Sequence, residues 1–165
     1  MSFAVLPGHL TMDRRKIRLT YTDTAVSVIA DMLEEEAPAV CRAVWKLLPI
    51  ETRAVHGMYS GAEVFALLED PKPMPPECLT QLPLPGEILY FYDDSKNVTN
   101  VRQAVAELCI VYNRGVVLRG PEGVPTHASL FARIPGDWKY DWMDFREACR
   151  KSRWEGPQKL RIERA

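Results

Sequence analysis

Six side chains of this 165-residue chain could make directed contacts with a bound molecule: Arg53, His56, Tyr59, Tyr112, Asn113 and His127. Three of them lie in one stretch, Leu47–Leu68, where Pro49 ends a helix because it lacks an amide and clashes with the preceding turn. The strand that follows alternates, with Ile50, Thr52, Ala54 and His56 on one side and Glu51, Arg53 and Val55 on the other. Gly57 and Gly61 bracket a loop presenting Met58, Tyr59 and Ser60, and a second strand leaves through Val64, Phe65 and Leu67. In this reading His56 and Tyr59 line a cleft whose apolar walls hold a ligand while a few polar groups orient it. The planar fork of Arg53 suits a carboxylate on that ligand. Plainer roles compete: Arg53 as an outward strand residue paired with an acid, His127 as a satisfied structural imidazole.

Other chemistries lack their residues. The histidines at 9, 56 and 127 have no ligand spacing, so no metal site is expected. Gly57-Met58-Tyr59-Ser60-Gly61 is not the nucleophile elbow of a hydrolase, and Gly120-Pro121-Glu122-Gly123 lacks the lysine and hydroxyl of a phosphate loop. Cys41, Cys78, Cys109 and Cys149 form no Cys-x-x-Cys pair, which argues against zinc ribbons and redox motifs. No cofactor is expected.

Composition narrows the class. Twenty-one Lys and Arg against 22 Asp and Glu give a net charge of −1, unlike the basic footprint of a nucleic-acid binder. No apolar run reaches the length of a membrane span, and no signal peptide is seen, so the expectation is a cytoplasmic protein with reduced thiols, three in apolar settings. Residues 1–15 read as a loose leader and 16–165 as one domain.

The elements that must hold the six residues follow from period and punctuation. Lys16–Tyr21 alternates as a half-buried strand, and Ala25–Leu33 is read as its partner although helix and strand periods both fit. Ala37, Val40, Cys41, Val44 and Leu48 form a helical stripe opened by Pro38, with Glu34-Glu35-Glu36 matched to the helix dipole. Six prolines between Asp70 and Gly86 make that segment an extended surface loop packed on the domain. Further strands are expected at Gly86–Tyr92, Ala106–Tyr112, Val116–Leu118 and His127–Ile134, with a polar loop at 93–102. Asp137 caps a second helix carrying Trp138, Trp142, Phe145 and Cys149, ended by Gly156-Pro157. A last strand around Leu160 and Ile162 pairs with the first, since closure removes sheet edges.

The result is an all-β class with two helices: a closed antiparallel barrel, its mouths capped by helices near 37–48 and 137–153. The order of "LPIETRAVHGMYSGAEVFAL", "PLPGEILYFYD", "AELCIVYNRG" and "VPTHASLFARIPG" over roughly residues 16–136 resembles the small bacterial cyclophilin-like domains of unknown function. The resemblance departs at Tyr59-Ser60-Gly61-Ala62-Glu63 and at Tyr90-Phe91-Tyr92-Asp93, where the family carries Trp-Gly-Glu-Glu and Tyr-Trp-Pro-Pro. It implies a cyclophilin-like barrel binding a small molecule or peptide at its face. A first alternative is a peptidyl-prolyl isomerase using Arg53, Met58, Tyr59 and His127, which need only favour a twisted amide over a planar one with a barrier of about 18–20 kcal/mol. A second is an oligomeric assembly module built on residues 71–85 or on exposed aromatics.

Overall fold

A computed structural model describes residues 13–94, 103–120 and 123–165. The expected leader up to residue 12, most of the 93–102 loop and Pro121-Glu122 lie outside the described residues.

Nine strands and two helices follow in the order β1 (Lys16–Tyr21), β2 (Val26–Met32), α1 (Pro38–Leu47), β3 (Ile50–His56), β4 (Glu63–Leu67), β5 (Leu79–Thr80), β6 (Glu87–Asp93), β7 (Val105–Val111), β8 (Ala128–Arg133), α2 (Met143–Glu155) and β9 (Gln158–Arg164). Eight form a closed antiparallel wall, β2-β1-β9-β3-β4-β7-β6-β8, sealed where Asp31 and Met32 of β2 meet Arg133 and Ala132 of β8. Short β5 adds to β8 beside that seam. β9 sits between β1 and β3, Leu19 opposite Ile162 on one side and Ile50 opposite Ile162 on the other. The ambiguous Ala25–Leu33 segment is a strand because Val26–Met32 pairs with the whole of β1.

Alternation along each strand sorts side chains into two cores. Ile17, Leu19, Ala54, Val64, Leu108, Ile110 and Ile162 fill the barrel. Leu89, Phe91, Cys109 and Val111 point outward from β6 and β7, and Val116 and Leu118 of the following segment cover them. Both faces of this part of the wall are therefore dry, which is why β7 reads as nearly continuous apolar sequence.

Helix α1 buries Val40, Cys41 and Val44. Its N-terminus is not capped by the acidic triplet: Glu34 pairs with Arg15 and Glu36 with Arg14. The free amides of Ala39 and Val40 instead donate to Glu77 at 2.9–3.1 Å, a carboxylate supplied by the proline-rich segment. Tyr90 donates to the Lys72 carbonyl at 2.7 Å, so the same segment is fixed to the barrel at two points.

Two expectations need correction. The second helix begins at Met143, not near 137. Asp137 heads a tight turn, accepting from the Lys139 amide at 2.7 Å while its own amide donates to Asp141 at 2.6 Å. Trp138 stands outside the helix, with the Lys139 and Arg146 cations over its ring. Val116–Leu118 is extended but not a strand; Val117 and Leu118 donate singly to the carbonyls of Ser60 and Gln81.

Helix α2 covers the barrel end where β1 and β3 stop, packing Phe145 on Tyr21 and burying Ala148 and Cys149. α1 lies at the end where β1 starts and β9 finishes, with Trp45 between the guanidinium groups of Arg15 and Arg164, each 4.8 Å from the ring.

Candidate functional site

His56 ends β3 under α2, and the structure joins it to Tyr112, the residue after β7. Their side chains meet at 2.8 Å between Nε2 and the hydroxyl, with the rings edge to face. His56 Nδ1 lies 2.8 Å from the Gly57 carbonyl, which can only accept, so Nδ1 carries the proton and Nε2 receives the Tyr112 hydroxyl. Burial holds the imidazole below its ordinary pKa, and Arg153 adds to this. Tyr112 is buried, and His56 is half-buried on the inner face.

The other four expected residues do not join it. Arg53 faces out from β3, opposite in parity to His56. Tyr59 is 48% exposed at the rim, touching the loop near Gly123. Asn113 accepts the Arg114 amide at 2.8 Å in a local turn. His127 is exposed just before β8. Ser60, expected to be presented by the loop, is buried instead: it donates to the Arg119 carbonyl and accepts the Arg119 amide.

The outer wall holds a second arrangement that the sequence reading passed over. Register places Val55 beside Phe65 and Phe65 beside Cys109, all on the outer face of β3, β4 and β7. One pleat along are Arg53 on β3 and the Leu67–Glu107 pair; one pleat the other way are Gly57 and Glu63. Two carboxylates thus flank Phe65 and Cys109 on an apolar surface.

Glu63 is only 6% exposed, and its Oε2 has no hydrogen-bond partner. Burial raises its pKa, with the Ser60 hydroxyl opposing in part. Glu107 is pushed up to about 7 by burial and then by the charge of Glu63. Cys109, between them, is raised well above the usual thiol value by burial and by both acids. Gly57 makes this possible sterically, since a Cβ there would lie 2.8 Å from Glu63 Cγ and Oε1. Acids placed so are costly, and such perturbed groups concentrate where proteins bind or react.

Clefts also open elsewhere among the described residues. One of about 220 Å³ runs along α2, lined by Tyr21, Asp23, Glu147, Lys151 and Lys159 among others. Another of about 280 Å³ opens where the β3–β4 ladder stops, between Ile50, Thr52, Leu67 and Asp70. Among the described residues no group of three His, Cys, Asp or Glu could hold a metal, and no helix is long and apolar enough to cross a membrane.

An eight-stranded antiparallel barrel with a helix at either end and two acids in its outer core defines the class of protein. The chain belongs to the DUF3830 family, a family of unknown function whose model matches residues 19–163. The structure of McbB in complex with tryptophan is similar at a TM-score of 0.64 and 18% identity, covering 90% of this chain and 44% of that one. This chain therefore spans less than half the length of McbB. The solution structure of the hypothetical protein AF2241 from Archaeoglobus fulgidus is similar at a TM-score of 0.53 and 17% identity, covering 92% and 95% of the two chains. Likeness at these identities is one of fold. No curated protein matches the chain.

Proposed function

We propose that this protein binds a small molecule on the outer face of β3, β4 and β7, in a cyclophilin-like barrel. The observation that carries the reading is Glu63: a carboxylate oxygen buried without a donor, on a face otherwise built as hydrophobic core. Leaving a buried acceptor unmade costs about 1–3 kcal/mol, a cost that a ligand donor would remove. Phe65 and Leu67 are only partly covered and offer apolar contact, while Arg53 stands free of the core for an anionic group. McbB, whose barrel resembles this one, is known in complex with the small molecule tryptophan.

A thermal-shift screen of metabolite carboxylates, amines and proline peptides tests the proposal. Ligands that raise the melting temperature of the native chain should lose their effect in Phe65→Ala and weaken in Arg53→Ala. Unchanged responses in both variants would remove the site from this face.

Arg53 beside Phe65 also favours the isomerase alternative, since a strand arginine next to an apolar pocket is what X-Pro isomerisation requires in the cyclophilins that the chain resembles. A flat baseline in a coupled X-Pro assay at high protein concentration would exclude it.

A further inference from the structure

We propose that the molecule taken up on this outer face carries a positively charged nitrogen, seated against Glu107 in the field of Glu63, with its apolar part on Phe65. The inference rests on the binding face described above and goes further by naming the ligand's charge.

The argument is one of compensation. Among the described residues neither Glu63 nor Glu107 has an ion-pair partner. Among the described residues, Arg133 is committed to Glu87 at 2.7 Å and Arg119 to the Gly123 carbonyl at 3.0 Å. Arg53 is exposed on β3, on the far side of β4 from Glu107. An anionic group seated beside Glu107 would meet two acids at once, with Arg53 a strand away across β4. A neutral donor would satisfy one oxygen and leave the charge. An ammonium group does both, because it brings three donors and cancels a charge in a setting of low dielectric. A divalent metal would require more oxygen ligands than this face supplies.

Phe65 strengthens the match. Register sets it between the rows of Glu63 and Glu107, where an aromatic face attracts a cation and covers its carbon skeleton. The groups facing Glu107 are Arg53 on β3, Glu63 on β4, Cys109 on β7 and, two residues along β6 from its neighbour Phe91, Asp93. Cys109 stays neutral, so Glu107 is the group that gives up a proton as the cation arrives.

Three probes of one skeleton decide the matter: 2-phenylethylamine, 2-phenylethanol and 3-phenylpropionate, each at millimolar concentration, followed by amide NMR shifts. The amine should move the amides of Phe65, Leu67 and Glu107, bind more tightly as pH rises through about 7, and weaken about tenfold in Glu107→Gln. Glu63→Gln should weaken it less. Equal binding of the alcohol or acid at these amides, or no effect of Glu107→Gln, overturns the charge assignment while leaving the face as a binding site. Silence from all three probes at these amides overturns the charge assignment too. Shifts confined to Tyr21, Glu147 and Lys151 along α2 would overturn the location as well.

Discussion

His56 accepts a hydrogen bond from Tyr112 across 2.8 Å, joining the end of β3 to the residue after β7 beneath α2. With the imidazole held below its ordinary pKa, the unfolded chain binds the proton more readily than the folded one. Stability from this pair is complete above about pH 6.5 and is lost as pH falls through the lowered folded value. Tyr112→Phe should cost about 1 kcal/mol at neutral pH by urea unfolding, because it strands a half-buried acceptor. An NMR titration of His56 should show a midpoint below about 6.5, the value of an unperturbed imidazole.

Glu107 predicts the opposite slope. Its folded value near 7 exceeds that of an unfolded glutamate, so the native state holds the extra proton. Stability from this group is full below about pH 4.5 and declines as pH rises to about 7. Glu107→Gln should abolish that slope and be more stable than the native chain at pH 8. The gain is bounded by roughly 3 kcal/mol, at 1.36 kcal/mol per tenfold change in proton affinity. A variant equal to or less stable than the native chain at pH 8 would contradict the burial of this acid.

Glu77 caps α1 from outside the helix. Glu77→Ala leaves the amides of Ala39 and Val40 without their carboxylate, at a cost of about 1–2 kcal/mol. Hydrogen exchange should accelerate at those two amides and along the proline-rich segment, while β3 and β9 stay protected.

Gly57→Ala tests the packing behind Glu63. The added methyl would sit 2.8 Å from Glu63 Cγ and Oε1, and the carboxylate would have to move. Overpacking of this kind costs about 1–3 kcal/mol. The displaced acid should also relax Glu107, lowering its titration midpoint in NMR.

Much of the barrel is legible in the chain because alternation writes itself plainly in Lys16–Tyr21 and in Leu160 and Ile162, and because two such strands lose their edges by pairing. Helix α1 shows through its stripe, all of it buried. The start of α2 is misread because Trp138, Trp142, Phe145 and Cys149 keep helical spacing even though a turn headed by Asp137 interrupts them. The outer-face acids are missed for a different reason. A glutamate in a strand ordinarily marks the wet side, and only the covering segment around Val116 and Leu118, which has no period of its own, makes that side dry. The signal available was a lone acid, Glu107, inside an otherwise apolar strand.

The placement of β9 has a consequence for how the molecule comes into being. Residues 17–21 must wait for residues 160–164 before both flanks of β1 are paired, and β3 waits for the same stave. During synthesis the cylinder stands open along that gap with bare strand edges until β9 has left the ribosome. Loss of that segment would leave not a shortened barrel but an unzipped sheet inviting strands from its neighbours.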